Sequence, residues 1–292
     1  MLKAEGIRGG FLIIKYRVVH RVSIKEALVI YSRFFFRKLE DLFASPVITD
    51  KKALLVAGCG HSGTTLLAAK LGNHPNIFAV GRETEFLLPD KNSLVTASKL
   101  LSEWVYCAEY LGKEYVLEKT PKHIYFIDRA GFIAPNHKVL VTIRNPLDNV
   151  ASLFKRFGDL DLAIERWVND NHIVAGIAGS GNVYVVRYED LTAAPEATFI
   201  SLFEFIGDSF DPSILEEGKT AYDSAVLKGN MVVRRDQVKS RIRVNNGAWR
   251  KVLDEEQALY VWRRVSVVAQ ALGYHGLEDC YFPTDDESNG CS

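Results

Sequence analysis

The chain has 292 residues, 48% hydrophobic and 25% charged, which is the profile of a globular protein with material for one large core. Its 36 Lys and Arg balance its 36 Asp and Glu, so no overall field favours nucleic acid. Cys59, Cys107, Cys280 and Cys291 form no C-x-x-C pair and none neighbours a His at zinc spacing, which points to a reducing, cytoplasmic setting without a metal site.

Residues 1–50 read as a basic, partly apolar extension. From Met1 to Lys38 there are nine Lys or Arg against two acids, with apolar clusters at 11–14, 27–31 and 34–36. None of these runs approaches the roughly 18 residues that a membrane span needs, and a cleavable leader is not expected from them. The expected arrangement is an amphipathic helix packed on the domain, with contact to a membrane surface or a partner as the alternative. Residues 51–282 read as one domain, and 283–292 as an acidic tail with Asp285, Asp286 and Glu287.

Within the domain, residues 51–58 make a short apolar strand, followed by a Gly-rich turn and a helix running to about Gly72. Further strands are expected at 115–117, 138–143 and 183–186, all Val-, Ile-, Leu- or Tyr-rich runs of buried-strand length. From Pro146 to Phe157, Leu147, Val150, Ala151 and Phe154 fall on one helical stripe. Pro195 opens a helix that Gly207 stops, and Asp254 with Gln257 forms a capping box before a helix ending near Gly273. Strand–helix alternation of this kind implies an α/β fold, a three-layer α/β/α domain of the P-loop type with a central, mostly parallel sheet.

The strongest chemical signal is Gly58 to Leu67, GCGHSGTTLL, set between a strand and a helix. Its G-x-x-x-x-G spacing followed by two threonines is that of a loop whose backbone N–H groups and helix N-terminus surround an anion. Gly60, His61, Ser62, Gly63, Thr64 and Thr65 are therefore candidate phosphate contacts. Where an ATPase loop has Lys, this chain has Thr64. The later strands end in Lys119 and Arg144, cations suited to direct contact with anionic groups rather than to holding magnesium.

The loop resembles the 5'-phosphosulfate loop of sulfotransferases, a basic residue followed by Ser-Gly-Thr-Thr, with His61 in the basic position. The family's basic side chain reaches the bridging oxygen of the leaving phosphate, and a His donates one hydrogen bond when neutral and adds charge when protonated. Residues 138–156, KVLVTIRNPLDNVASLFKR, are similar to the family's 3'-phosphate unit, which implies that Arg144 and Ser152 converge on one phosphate. His74-Pro75-Asn76-Ile77 with Gly81-Arg82-Glu83-Thr84-Glu85 resembles the protein-tyrosine sulfotransferase branch, which implies Glu83 as general base. Glu118-Lys119-Thr120-Pro121 resembles that branch's Lys-Asp-Pro segment, so Lys119 would assist the leaving group. Asp236-Gln237-Val238 through Trp249 is similar to its cofactor-covering loop, with Arg243, Lys239 and Arg241 as candidate 3'-phosphate contacts. Tyr188, in VRYEDL, matches a family aromatic near the adenine. The resemblance covers about residues 52–262.

It implies a sulfotransferase that uses 3'-phosphoadenosine 5'-phosphosulfate (PAPS), without metal, on a hydroxyl-bearing acceptor: a carbohydrate, a lipid, a small alcohol or a tyrosine. The rival readings are a P-loop kinase or nucleotidase using ATP and magnesium, and a non-catalytic nucleotide-binding protein.

Overall fold

Alternation along the strands decides which side chains meet which layer. In β1 (Lys52–Gly58), Leu54 and Val56 face one side of the sheet, and Ala53, Leu55 and Ala57 the other; from Ala53 on, all are buried. A strand covered on both faces reads as a continuous apolar run, and this is why the segment lacks the polar alternation of a half-exposed strand.

The computed structural model describes residues 45–216 and 246–280. Its sheet also contains β2 (Ile77–Ala79), β3 (Tyr115–Lys119), β4 (Lys138–Ile143) and β5 (Val183–Arg187). The order is β2-β3-β1-β4-β5 and every neighbouring pair is parallel. Parallel neighbours need crossover connections, and these lay helices on both faces.

One face carries α1 (Thr64–Leu71) and α5 (Pro195–Ile206), packed on Leu54, Val56, Leu117, Leu140 and Val186. On the other face, α2 (Leu94–Tyr110) covers Ala53, Leu55 and Val116. Beside it, α3 (Pro146–Phe157), α4 (Leu160–Ile177) and α6 (Glu255–Ala271) cover Ala57, Val139 and Val141 around Trp167 and Trp249.

The helix ends follow their sequence signals. Pro146 opens α3 behind Asn145, whose side chain accepts from the Asp148 N–H, and Gly158 closes it at a φ of 71°. Pro195 and Gly207 bracket α5, and Asp254 and Gln257 form a reciprocal capping box at α6. Of the elements named above, three have no counterpart in the sequence reading. β2 is only three residues long, α2 begins from a Ser93 cap, and α4 buries Asp170 and Asn171 within its apolar stripe, which blurs the helical pattern.

Because all five strands are parallel, their C-terminal ends share one edge. The register sets Val56 beside Lys119, Gly58 beside Thr142, and Ile143 beside Arg187. The loop after β1, Thr120, Arg144 and Tyr188 therefore emerge together, at the edge where open α/β sheets bind ligands. The basic extension before residue 45, the acidic tail, and Lys239, Arg241 and Arg243 lie outside the described residues. Among the described residues, no helix is long and apolar enough to cross a membrane, and no group of three or more His, Cys, Asp or Glu is arranged to hold a metal.

Candidate active site

The loop leaves β1 hard against β4. Gly58 has a φ of 131°, and a Cβ there would stand 2.7 Å from the Thr142 carbonyl oxygen, so only glycine fits. Ser62 then folds the loop back on itself. Its hydroxyl donates to the Cys59 carbonyl at 2.6 Å and lies 2.7 Å from Thr142 Oγ1, with the whole side chain buried. The Ser62 hydroxyl thus shapes the loop from inside rather than facing its mouth. From α3, Asn149 Nδ2 donates to the Gly60 carbonyl at 2.8 Å, a second brace.

Gly63 caps α1 at a φ of 102°, and a Cβ there would come within 2.6 Å of Tyr188 Cδ2. The Tyr188 ring therefore lies directly on the loop at the helix N-terminus. The first α1 amides have no intrahelical acceptor, and the first turn contains no acid. Together they make an anion cradle with an aromatic wall.

Lys119 ends β3 on the α1 face. It is 1% exposed, with its Nζ 3.3 Å from Thr65 Oγ1 and 2.5 Å from Glu83 Oε1. Glu83, at 40% side-chain exposure, opens to solvent on the far side of that ammonium. A buried cation touching both the cradle and a partly exposed carboxylate can steady negative charge in the cradle. The carboxylate beside it can accept a proton from a group arriving from solvent.

Arg144 follows β4. Its guanidinium lies 4.4 Å from the centre of the Tyr188 ring and 3.6 Å from Asp148 Oδ2. Burial pushes the Tyr188 hydroxyl above its ordinary pKa, while Arg144 pulls it the other way; the hydroxyl keeps its proton. Ser152, two turns into α3, has its hydroxyl 2.8 Å from His61 Nδ1. Arg156 Nη1 donates to His61 Nε2 at 3.5 Å, which leaves Nδ1 as the proton-bearing nitrogen, donating to Ser152. His61 holds this position at a φ of 66°, in the left-handed region that non-glycine residues rarely adopt.

The structure thus gathers Gly60, His61, Gly63, Thr65, Lys119, Glu83, Arg144, Ser152 and Tyr188 at one sheet edge. Thr64 is buried in the first turn of α1. Glu85 turns away to Lys91, 3.6 Å from its ammonium. Several residues that build the site had no signal of their own in the sequence. Asp148 accepts from the backbone N–H groups of Gly247 at 2.9 Å and Trp249 at 2.8 Å, joining the chain just before α6 to the start of α3. Glu189 accepts from the Asn145 N–H at 2.8 Å and from the Tyr274 hydroxyl at 3.0 Å. Asp148 alone had a cue, its place three residues after Asn145, since an Asn–Pro–x–Asp start puts the acid inside the first helical turn.

Residues 90–212 match the family model described as the sulfotransferase family. A protein of Aquifex aeolicus described as uncharacterized is 24% identical over 234 residues, 64% of this chain and 31% of that protein, so the chain spans about a third of that relative's length. Among solved structures, the fold is similar to the sulfotransferase domain from the curacin biosynthetic pathway, with a TM-score of 0.53 and 18% identity, covering 78% of this chain and 99% of that domain. The sulfotransferase domain of the Synechococcus PCC 7002 olefin synthase superposes with a TM-score of 0.54 at 17% identity, over 77% of this chain and 96% of that domain.

Proposed function

We propose that the chain is a sulfotransferase, a reading supported by the match of residues 90–212 to the sulfotransferase family model, and that it transfers the sulfuryl group of PAPS to a hydroxyl-bearing acceptor. The observation that carries this reading is the Thr65–Lys119–Glu83 chain of contacts, a buried ammonium between an anion cradle and a solvent-facing carboxylate. The donor supplies a sulfuryl group already activated as a phosphosulfate anhydride.

Each residue then has a defined task. The α1 amides, Gly60, Gly63, Thr64 and Thr65 hold the 5'-phosphosulfate end, and Tyr188 walls the same cradle beside Arg144. Arg144 and Ser152 bind the 3'-phosphate, the first as a planar multi-donor and the second through its hydroxyl. Glu83 takes the proton from the acceptor hydroxyl as its oxygen bonds to sulfur. The sulfur–oxygen bond to phosphate breaks in the same step, and the nucleoside 3',5'-bisphosphate leaves with the negative charge. Lys119 hydrogen-bonds the oxygen on which that charge grows, while His61, its Nδ1–H given to Ser152, holds the hydroxyl that meets the 3'-phosphate. These donors are in place before reaction, which is the source of electrostatic preorganisation. The acceptor is a hydroxyl compound small or extended enough to bring its oxygen to Glu83.

Titration calorimetry tests the nucleotide assignment. The protein is expected to bind 3'-phosphoadenosine 5'-phosphate (PAP) about ten- to a hundredfold more tightly than AMP, the worth of a charge-assisted contact. Arg144→Ala removes most of that preference. Equal affinity for the two nucleotides, or tighter binding of ATP with magnesium, overturns the reading in favour of a phosphoryl-transfer enzyme.

A further inference from the structure

The strand that ends in Lys119 sends the preceding side chain to the opposite face, where Glu118 is 1% exposed under the turn that carries Glu83. Its Oε1 accepts from the Thr84 N–H at 3.0 Å, from the Thr84 hydroxyl at 2.7 Å and from the Thr120 hydroxyl at 2.7 Å. Its Oε2 lies 3.0 Å from His123 Nδ1. The Leu87 N–H donates to His123 Nε2 at 3.3 Å, which leaves the His123 proton on Nδ1, facing the carboxylate. One buried carboxylate therefore ties residues 84 and 87 of the turn to residues 120 and 123 beyond β3.

The Thr84 N–H belongs to the planar peptide unit that joins Glu83 to Thr84, so fixing it fixes the backbone from which the Glu83 side chain springs. The next residue, Glu85, sits at a φ of 55°, with its own N–H donating to Thr120 Oγ1 at 3.2 Å. A left-handed, non-glycine turn persists only when its surroundings hold it. Burial on its own would raise the Glu118 pKa. The neighbouring His123 and the Thr84 and Thr120 bonds outweigh it and hold the carboxyl below its ordinary value.

We propose that Glu118 is the positioning residue for the acid–base pair of this site, acting through Thr84 to set Glu83 against Lys119. This rests on Glu83 serving as the base. Glu118 itself touches neither nucleotide nor acceptor. Its loss lets the turn at 82–87 swing while the anion cradle, built on the opposite face of β3, stays intact.

The test uses the full chain and the variants Glu118→Gln, Thr84→Val, Thr84→Ser and Glu83→Gln, with Glu118→Gln also placed in the Glu83→Gln background. Amide hydrogen exchange is followed at residues 82–87, PAP affinity by calorimetry, and turnover as PAP release with 4-nitrophenol. Glu118→Gln and Thr84→Val are expected to speed exchange at Thr84 and Glu85 and to lower kcat by about ten- to a hundredfold, the scale of an ångström-sized misplacement. PAP affinity stays within about twofold, since no cradle contact changes. Thr84→Ser keeps the hydroxyl and keeps the turnover, and in the Glu83→Gln background Glu118→Gln costs nothing further. Unchanged exchange at Thr84 and Glu85, or a loss of PAP affinity parallel to that of kcat, overturns the proposal. An equal additional loss in the Glu83→Gln background overturns it while leaving the base assignment standing. Full turnover in Glu83→Gln removes the base assignment and this proposal with it. Should Glu118→Gln fail to fold, the Thr84→Val and Thr84→Ser pair decides alone.

Discussion

His61 is the position at which a single residue carries most information. It stands in the left-handed region at a φ of 66°, a conformation glycine would adopt without strain, and its ring nevertheless bridges toward Ser152 and Arg156. Strain of about 1–2 kcal/mol accepted at such a position marks a ring kept for contact rather than for the fold. His61→Gly is accordingly expected to leave the melting temperature unchanged or slightly raised, relief of strain being partly offset by the freer unfolded glycine. PAP affinity falls about tenfold, the worth of one hydrogen bond to a charged group. Thermal melts and calorimetry on the same variant check both halves; unaltered PAP affinity would take His61 out of the binding site. Most of the loop around it was legible from the sequence because glycine spacing, a preceding strand and a following helix are all local signals. The direction of the Ser62 hydroxyl was not, since it depends on Thr142, 80 residues away.

Among the elements, α3 does more than its amphipathic stripe suggests. Its first turn supplies Asp148, whose carboxylate accepts from the N–H groups of Gly247 and Trp249 and from Asn145 Nδ2 at 2.8 Å, and stands 3.6 Å from Arg144. The helix start is thus the clasp that holds the chain entering α6 against the Arg144 turn. Asp148→Ala leaves several buried donors without an acceptor, and urea unfolding is expected to show a loss of about 3 kcal/mol or more. Asp148→Asn keeps one accepting oxygen and loses less. A loss below about 1 kcal/mol for the alanine variant would mean that the clasp is replaced by water. The limits of α3 could be read from Pro146 and Gly158, whose backbone preferences act within the element itself. Which of its polar residues faces inward could not, because its burial of Asp148 and Asn149 comes from partners on other elements.

For the whole molecule, two buried groups make folding sensitive to acid. His137 donates through Nδ1 to the Ala134 carbonyl at 2.8 Å and accepts at Nε2 from Asn182 Nδ2 at 2.9 Å, pinning the turn before β4 to the start of β5. Burial lowers its pKa from the ordinary 6.5, more than the Ala134 bond and Asp128 raise it. The unfolded chain therefore binds the proton more readily than the folded one. The stabilising contribution is present above that ordinary value and is lost as pH falls through the depressed folded one. Glu118, also held low, adds a second loss beneath its ordinary 4.5. Melting temperature is expected to drop from pH 7 to pH 5, and His137→Gln, which cannot gain the proton, flattens that drop. An equal drop in both proteins would assign the acid sensitivity elsewhere.

The sequence by itself determined the parallel α/β architecture and the glycine-rich turn between β1 and α1. Each is written in residues close together in the chain, where strand period, helix period and glycine backbone freedom act directly. Lys119 was read only as a strand-end cation and Glu83 was named through resemblance, because nothing local joins a strand end to a turn 36 residues earlier. The tertiary structure decided that meeting, and it decided that Glu83 faces the ammonium while Glu85 turns to Lys91. It also decided that Glu118 and Lys119, adjacent in sequence, serve opposite faces of one sheet. The physical reason is the strand's period of two, which sends neighbours to different layers, together with a parallel register that only the packed helices fix.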